Sequence, residues 1–130
     1  MKIEFEIDLD VGGLFNFVFN YRDDSSFKML RLDSRESTPT PNALLYSKQR
    51  HKWNIAGKAE EQNPPQGVFD ISIHIDFNEQ NFTFSVNGNP YKFFKASNKE
   101  IDLFSELKEG LRIGWFNEER PVKMYNIKIA

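Results

Sequence analysis

Cysteine is absent from the 130-residue chain, and histidine occurs only twice. Without cysteine, the chain can form neither a disulfide nor a cysteine-ligated zinc site. His51 and His74 lie too far apart in sequence for the short spacing of a metal-binding histidine pair. Fold stabilisation must therefore come from a hydrophobic core, and no histidine-based metal site is predicted.

The chain also lacks a strong excess of charge and a long apolar run. A net charge of -2 on a chain that is 28% charged is typical of a soluble surface and gives no electrostatic reason to expect nucleic acid. No stretch approaches the ~20 apolar residues of a membrane span. Met1 leads directly into a strand-like pattern instead of a signal peptide. We therefore expect no nucleic acid partner, no membrane span, and a cytoplasmic protein or an excised domain of a larger one.

Alternating apolar and polar residues dominate the middle of the chain, in the segments Phe69–Asp76 and Phe82–Asn87. A period of two residues is that of a β-strand with one buried and one polar face. The polar residues 77–81 between them have hairpin length, and Asn87-Gly88 readily accepts the positive φ of a tight turn. The pattern predicts three consecutive antiparallel strands.

The same alternation recurs towards both ends of the chain. The further predicted strands are Ile3–Leu9, Phe15–Arg22, Phe27–Asp33, Ala43–Ser47, Lys52–Ala56, Leu111–Phe116 and Val122–Ile129. Residues 34–42 and 57–67 contain prolines and are predicted loops. Ser97–Lys99 is predicted to cap a short helix over Glu100–Leu107. About ten short strands with at most one short helix predict one all-β domain over residues 1–130, a two-sheet antiparallel β-sandwich of the jelly-roll type.

Several segments resemble a known superfamily. Phe19–Asp33 is similar to the paired strands F-R-x-x-D-x-x-x-Y-x-x-L-R-L-D of the concanavalin A-like lectin and glucanase superfamily, in its laminin G-like and bacterial sugar-processing members. Phe82–Gly88 resembles their V-x-V-x-N-G hairpin, and Gly110–Trp115 with Val122–Ile129 resembles their closing strands. Asn20 stands where many members have arginine. The resemblance covers nearly the whole chain and implies a jelly roll that binds carbohydrate.

A narrower resemblance is to galectins. Phe19–Arg22 is similar to the galectin strand H-x-N-x-R with Val18 at the histidine position, and Trp53 followed by Glu60–Gln62 is similar to W-G-x-E-x-R with a longer spacing. The histidine and the final arginine of these motifs are missing, and a site that leaves buried polar groups unpaired binds poorly. Galactose recognition of the galectin kind is therefore not expected.

A sugar site combines an aromatic face with fixed polar side chains. Trp53, which lies between polar neighbours in a short strand, is the predicted stacking platform, whereas Trp115 is in phase with Leu111 and Ile113 and is predicted to pack in the core. The polar strand faces are expected to line a concave sheet surface, although outward strand positions are polar in any half-exposed sheet. The predicted ligand contacts are Asn20, Arg22, Arg31, Trp53, Asn54, Ser72, His74 and Asn87.

Two carboxylate patterns bear on a glycosidase interpretation, for which the superfamily resemblance implies E-x-D-x-E or E-x-D-x-x-E on one strand. The segment from Glu6 through Asp8 to Asp10 ends in aspartate, whose reach is shorter by one methylene. Glu100 and Asp102 are followed by Glu106 one residue late. The first pattern also lies at the start of the chain, where we expect a sheet edge carrying charges for solubility. Catalysis is therefore not predicted.

We interpret the chain as a non-catalytic module that binds a carbohydrate or glycoconjugate. The alternative is a non-catalytic protein-interaction or structural β-sandwich domain of a larger assembly, and a glycoside hydrolase comes third. No cofactor is predicted. Calcium stays open, because laminin G-like proteins often bind it and Asp23, Asp24, Asn78 and Glu79 are loop oxygen donors, although turns recruit such residues for their own hydrogen bonds.

Overall fold

Strands form where the alternation of apolar and polar residues predicts them. The computed structural model describes residues 1–9, 12–34, 43–59, 67–108, 112–118 and 122–130. In these residues the chain forms eleven strands and one 3-10 helix, Leu103–Glu106. The strands are β1 Lys2–Leu9, β2 Leu14–Asp23, β3 Ser26–Asp33, β4 Ala43–Gln49, β5 Lys52–Ala59, β6 Gly67–Asp76, β7 Asn81–Val86, β8 Asn89–Pro90, β9 Phe93–Phe94, β10 Arg112–Glu118 and β11 Lys123–Ile129.

The strands belong to two antiparallel sheets. One sheet has five strands in the order β11-β1-β6-β7-β8, and the other has six in the order β10-β2-β3-β4-β5-β9. Neighbouring strands in both sheets run antiparallel. The prediction of an all-β, two-sheet antiparallel sandwich is confirmed.

Phenylalanine rings from both sheets meet in the core. Phe17 and Phe19 of β2 and Phe82 of β7 are buried in one hydrophobic cluster. The ring of Phe82 lies edge-on to the other two, with centroids 6.4 Å from Phe17 and 5.3 Å from Phe19. Each aromatic pair of this kind contributes roughly 0.5–1.5 kcal/mol beyond its buried area. These contacts hold the six-stranded sheet against the five-stranded one.

The central strands β6, β7 and β8 pair in sequence order, as predicted. In the turn between β7 and β8, Asn87 and Gly88 have φ values of 50° and 79°. The Asn87 side chain also accepts a hydrogen bond from the backbone N–H of Asp70 at 2.9 Å. Asparagine and glycine tolerate positive φ better than other residues, so this turn fixes the register of the hairpin.

Strand β5 is longer than predicted. Residues 57–59, expected to begin a loop, continue the strand because Lys58 and Ala59 pair with Phe94 and Phe93 of β9. The rest of that loop, residues 60–66, lies outside the described residues, as do residues 35–42, Asp10 and Leu111.

The predicted helix is short and has a different cap. The 3-10 helix covers Leu103–Glu106, not residues 100–107, and its N-cap is Asp102, whose carboxylate accepts a hydrogen bond from the Phe104 N–H at 3.1 Å. The prediction that Ser97–Lys99 caps it is wrong, because the aspartate side chain can reach a free N–H of the first turn. No helix in the described residues is long and apolar enough to cross a membrane.

Strand β1 is an interior strand. It pairs with β11 on one side and with β6 on the other, so the prediction of a sheet edge at the start of the chain is wrong. The pairing brings the two ends of the described chain together, since the backbone of Lys2 exchanges two 2.9 Å hydrogen bonds with Ala130. The C-terminal strand takes the edge position that we expected for β1.

Candidate functional site

Aromatic side chains also gather on the outer face of the six-stranded sheet. Along β3 and β4 the alternation that turns Leu30 and Leu45 into the core turns Phe27 and Tyr46 outward. The Trp53 ring lies edge-on to both, with centroids 5.5 Å from Phe27 and 6.1 Å from Tyr46. Phe27 is buried, whereas 49% of Trp53 is exposed. We call Phe27, Tyr46 and Trp53 the aromatic cluster; it presents one braced tryptophan to solvent.

Lys48 lies against the aromatic cluster. It is opposite Trp53 in the β4–β5 register. Its Nζ is 4.9 Å from the centroid of the Trp53 ring and 5.4 Å from that of Phe27. Such a cation over an aromatic face is stabilised by roughly 0.5–1 kcal/mol at exposed sites. The result is a fixed ammonium group beside an exposed indole.

Arg31 lies on the same outer face of the six-stranded sheet, further along β3 than Phe27. Its guanidinium carbon is 5.1 Å from the centroid of the Tyr46 ring. Its Nε donates to the Asn16 side-chain oxygen at 2.8 Å, and Asn16 is buried. The predicted ligand residue Arg31 is therefore packed onto Tyr46 and held by Asn16, which leaves it less free than an exposed arginine.

An open cleft of about 390 Å³ adjoins the aromatic cluster at the end of the six-stranded sheet. The turn between β2 and β3 and the end of β4 form much of its wall. Phe27 and Lys48 belong to its lining and also contact Trp53. Lys28 and Ser47 alternate with these outward residues, so the cleft lies on the core side of the sheet and Trp53 on its outer side. The lining residues are Asn20, Arg22, Asp23, Ser25, Ser26, Phe27, Lys28, Ser47, Lys48, Gln49, Arg50 and Lys108. We call this the basic cleft.

Asp23, the carboxylate among the described lining residues, is engaged by its own turn. The Ser25 hydroxyl and backbone N–H donate to the same Asp23 oxygen at 2.5 and 2.8 Å. These hydrogen bonds, the hydroxyl first, lower the pKa of Asp23. In the same turn the Tyr21 hydroxyl donates to Asp24 at 2.5 Å, a bond that raises the pKa of Tyr21. Both aspartates therefore stabilise the turn that forms one wall of the basic cleft.

Asn20 joins β2 to the segment after the 3-10 helix. Its backbone has a φ of 54°, and its side chain is buried. The side-chain amide donates to the Glu106 carbonyl at 2.6 Å, and its oxygen accepts from the Lys108 N–H at 2.8 Å. Both ends of the amide are thus used within the protein. Asn20 positions Lys108 in the wall of the basic cleft.

The predicted ligand contacts are divided between the two sheets. The six-stranded sheet carries Asn20, Arg22, Arg31, Trp53 and Asn54, whereas the five-stranded sheet carries Ser72, His74 and Asn87. The expectation that the polar strand faces line one concave surface is wrong, because β2 and β6 belong to opposite sheets. Asn54 follows Trp53 in β5 and pairs with Ser47, a lining residue of the basic cleft. Contact of each residue with a sugar stays a prediction.

The outer face of the five-stranded sheet has a different character. Ser72 and His74 lie on it in β6, opposite Glu4 and Lys2 of β1. A cleft of about 410 Å³ on this face is lined by Glu4, Phe5, Glu6, Asp70, Ile71, Ser72, Asn126 and Lys128. We call it the acidic cleft. Its lining contains three carboxylates and one lysine, and its single aromatic side chain, Phe5, is buried.

Trp115 lies at the open side of the sandwich. It projects from the edge strand β10, and its ring is 6.3 Å from the buried Phe5. Contact with the core agrees with the prediction for Trp115, but the edge position leaves 36% of the residue exposed. It is remote in the strand order from Trp53, because β2, β3 and β4 separate their strands.

Tyr46 was already among the aromatic residues that the sequence offers to a sugar site, but Phe27, which also braces Trp53, was missed. Phe27 was available from the alternation, since β3 carries apolar side chains on both faces and such strands are covered on both sides. No sequence pattern could have placed Arg50 and Lys108 in one cleft, because they come from a turn and a segment that meet only in the folded chain.

The carboxylates of the two glycosidase patterns have other contacts. Glu6 accepts a hydrogen bond from the Asn126 side chain at 3.4 Å on the outer face of the five-stranded sheet. Asp102 caps the 3-10 helix, and Glu106 forms a salt bridge with Lys28. Asp10 lies outside the described residues. The described carboxylates of the two patterns lie on different elements, strand β1 and the segment around the 3-10 helix.

The loop oxygen donors considered for calcium belong to two different turns. Asp23 and Asp24 lie in the β2–β3 turn of the six-stranded sheet, and Asn78 and Glu79 lie in the β6–β7 turn of the other. In the described part of the chain, no group of three or more histidine, cysteine, aspartate or glutamate side chains is close enough to hold a metal ion.

Comparison with solved structures identifies the fold. The chain is similar to a tetrameric galectin from the ball sponge Cinachyrella sp., with a TM-score of 0.58 and 11% identity over 98% of this chain and 89% of that one. The ancestral congerin Con-anc has a TM-score of 0.55 and 15% identity over 98% of this chain and 88% of that one. CG-16, a homodimeric agglutinin from chicken liver, has a TM-score of 0.56 and 19% identity over 98% of this chain and 86% of that one. No protein-family model and no curated protein matches the sequence.

The chain therefore has the two-sheet jelly-roll fold seen in these proteins. This confirms the resemblance to the concanavalin A-like superfamily as a statement about the fold. Because one fold hosts many functions, the ligand has to be argued from the site.

Proposed function

We propose that the chain is a non-catalytic carbohydrate-binding module whose ligand stacks on Trp53 at the outer face of the six-stranded sheet. The observation that carries this proposal is an indole that is 49% exposed, braced by two other aromatic rings and flanked by Lys48. A monosaccharide ring has one apolar side that packs on an aromatic face and hydroxyl groups that need polar partners. The aromatic cluster supplies the stacking surface, and Lys48 and Arg31 beside it supply hydrogen-bond donors.

The bracing of Trp53 favours binding. A side chain that is already fixed loses little conformational entropy when a ligand covers it. Phe27 and Tyr46 meet the indole at interplanar angles of 84° and 90°, so both rings support it edge-on. The similar proteins are named as galectins and an agglutinin, which supports a sugar as the ligand.

The proposal is tested with a glycan array followed by titration of the strongest ligand. Replacing Trp53 removes the platform, so Trp53→Ala is expected to weaken binding roughly thirtyfold, or about 2 kcal/mol. Trp115→Ala is the matched control, because it truncates the second tryptophan on a different strand. It is expected to keep the affinity of the parent protein when both variants are shown to be folded by circular dichroism. Absence of binding across the array, or equal losses in the two variants, would overturn the proposal.

A second candidate function, protein contact, is favoured by the edge strand β11. Its outer side is unpaired in the described sheet, and Tyr125, Ile127 and Ile129 are exposed, Ile129 to 62%. An exposed apolar edge strand is a template for pairing with another strand. The occupant that we favour is a second copy of this chain, since the similar agglutinin CG-16 is a homodimer.

Light scattering over a range of protein concentrations tests this second candidate. Ile129→Lys should shift a dimer towards monomer, because a charge at the edge disfavours strand pairing. Val68→Lys is the control, since Val68 is equally exposed at 64% and lies on the interior strand β6. A parent protein that is monomeric at all concentrations would rule out self-association through β11.

A further inference from the structure

A further cleft lies along one side of strand β7 in the five-stranded sheet. The short strand β8 pairs with Ser85 and Val86 at one end of β7. Beside residues 81–83, towards the other end, the structure has an open cleft of about 450 Å³. We call it the edge cleft. Its described lining residues are Asn81, Phe82, Thr83, Pro90, Tyr91, Lys92, Phe93, Glu100, Ile101, Asp102 and Leu103.

The backbone of Phe82 points towards the edge cleft. Phe82 is opposite Ile75 of β6, and both backbone groups of Ile75 bond to Met1 on the far side of β6, at 2.8 and 2.6 Å. Two residues along β7, the Phe84 carbonyl accepts from the Tyr91 N–H at 2.8 Å on the β8 side. Alternate residues of an antiparallel strand direct their backbone groups to the same side. The N–H and C=O of Phe82 therefore face away from β6.

Both of these backbone groups lack a hydrogen-bond partner among the described residues. Phe82 itself is buried. Buried backbone N–H and C=O groups in proteins are nearly always paired, because an unpaired one has lost its hydrogen bonds to water without replacement. The edge of β7 thus offers one donor and one acceptor to whatever enters the cleft.

Tyr91 adds a third unpaired group to the same lining. Its ring lies 6.3 Å from that of Phe84, and only 7% of the residue is exposed. Its hydroxyl has no hydrogen-bond partner in the part of the chain that the structure describes. Burial raises the pKa of Tyr91 to about 12, so the phenol keeps its proton and stays a donor at neutral pH.

The rest of the lining is divided into apolar and polar parts. The Ile101 N–H donates to the Phe93 C=O at 2.8 Å, which holds two segments of the lining together. The buried lining residues from these segments are Phe93, Ile101 and Leu103, and the exposed polar ones around the cleft are Asn81, Lys92, Glu100 and Asp102. A ligand that fits this cleft has an apolar part and several hydroxyl or other polar groups.

An acetamido group matches the unpaired groups. It has one N–H donor, one C=O acceptor and an apolar methyl group. The Phe82 carbonyl can accept from the amide N–H, and the Tyr91 hydroxyl can donate to the amide oxygen. The Phe82 N–H is then left for a hydroxyl oxygen of the same ligand.

Addition of a whole peptide strand fits this edge less well. The backbone groups of Asn81 and Thr83 point towards β6, by the same alternation that turns those of Phe82 away from it. The Phe84 carbonyl is already bonded to Tyr91. Phe82 alone therefore offers both backbone groups, whereas an added strand bonds to several alternate residues.

We infer that the edge cleft is a binding site for an N-acetylated sugar, whose acetamido group bonds to the Phe82 carbonyl and the Tyr91 hydroxyl. Trp53 lies on β5 in the other sheet, so this site is separate from the one proposed above. Acetylated lysine carries the same acetamido group, and the test therefore includes it.

The experiment is a nitrogen-proton NMR titration with methyl N-acetylglucosaminide and, separately, with methyl glucoside, which has a hydroxyl in place of the acetamido group. We expect the N-acetylated sugar to bind at least about tenfold more tightly, with a saturable shift of the Phe82 N–H signal. Trp53→Ala should leave this shift in place, so that failure at one site is distinguished from failure at the other.

Tyr91→Phe removes the hydroxyl and keeps the ring. It is expected to weaken binding of the N-acetylated sugar about fivefold. It should not lower the melting temperature, because the hydroxyl has no partner to lose among the described residues. Tyr125→Phe is the matched control, since Tyr125 is exposed on β11 at the other edge of the same sheet, and it should keep the affinity.

The outcomes separate the parts of this inference. Equal affinity for the two sugars, or an unchanged affinity in Tyr91→Phe, would overturn recognition of the acetamido group. No saturable shift at Phe82 with either sugar would mean that the unpaired groups are satisfied by water alone and would overturn the site. Tighter binding of N-acetyl-lysine methyl ester than of the N-acetylated sugar would overturn the sugar as the source of the acetamido group.

Discussion

The outer faces of the two sheets differ in chemistry although both are built by the same alternation. The face of the five-stranded sheet carries carboxylates and small polar groups, with Glu4, Asp70 and Ser72 in the lining of the acidic cleft and Ser72 opposite Glu4. The end of the six-stranded sheet carries the aromatic cluster and the basic cleft. The clefts are similar in size, about 410 and about 390 Å³.

Because the two clefts have similar volumes, volume alone does not identify the binding face. Both faces offer a cleft of comparable volume and many polar groups, but only one combines them with an exposed, braced indole among the described residues. A sugar can satisfy its hydroxyl groups on either face. Among the described residues, Trp53 on the six-stranded sheet combines exposure with bracing by two other rings, which makes it the better surface for the apolar side of the ring.

The largest expected effect comes from the core that both faces share. Phe84 is fully buried, and Phe84→Ala is expected to lower the free energy of unfolding by about 3–5 kcal/mol. We expect both sheets to unfold in a single transition, which denaturant unfolding measures. Phe77→Ala is the control, since 49% of Phe77 is exposed and its loss should cost far less. A similar cost for both variants would contradict the described core.

A smaller loss is expected at Asn20, which holds one wall of the basic cleft. Asn20→Ala removes two partly buried hydrogen bonds to residues 106 and 108 and should lower the free energy of unfolding by about 2 kcal/mol. Asn54→Ala, at an exposed position, should change it by less than about 0.5 kcal/mol. Comparison with Asn20→Gly separates the hydrogen bonds from the positive φ, because glycine accepts that φ without strain. If Asn20→Gly restored full stability, the bonds would have no net role.

The brace behind Trp53 gives a prediction specific to one face. Phe27→Ala is expected to weaken glycan binding about tenfold, or about 1.4 kcal/mol, because the indole loses its edge-on support. Ser85→Ala on β7 of the other sheet should leave affinity unchanged. Titration of both variants with the same glycan checks the contrast, and a larger loss for Ser85→Ala would reverse the assignment of the faces.

The smallest effect is a pH dependence on the five-stranded sheet. Backbone N–H groups of Glu79 and Asn78 donate to Asp76 and lower the pKa of this exposed carboxyl from its usual 3.8. The charged form is favoured in the folded state, so the associated stability is present above pH 3.8 and is lost as the pH falls through the lower, folded value. A carboxyl NMR titration measures the shift directly. Asp76→Asn should abolish this part of the acid dependence of unfolding, and a normal pKa for Asp76 would contradict the bonds.

The features that the sequence predicted well are those decided by neighbouring residues. Strands β6, β7 and β8 and the turn at Asn87 and Gly88 depend on local alternation and on tolerance of positive φ, both visible in a few residues. The 3-10 helix was misjudged because Asp102, close to the first turn, competes successfully with the more distant Ser97 as its cap.

The site was predicted less completely because alternation assigns a side chain to one face of its strand but does not assign the strand to a sheet. Asn20 and Ser72 follow similar patterns and lie on opposite sheets. Trp53 was recognised from its polar neighbours. Its supports, Phe27 and Tyr46, resemble core residues in sequence, and only the pairing of β3, β4 and β5 brings them to the indole.

The most direct measurement of the binding face is a nitrogen-proton NMR titration of the protein with the strongest glycan from the array. The chain has two tryptophans, so two indole N–H signals report on two different places. We predict that the signal of Trp53 shifts together with the backbone signals of Lys48 and Arg50, while that of Trp115 stays in place. Shifts confined to Ser72, His74 and their neighbours on the five-stranded sheet, or a shift of Trp115 alone, would contradict binding at the six-stranded sheet.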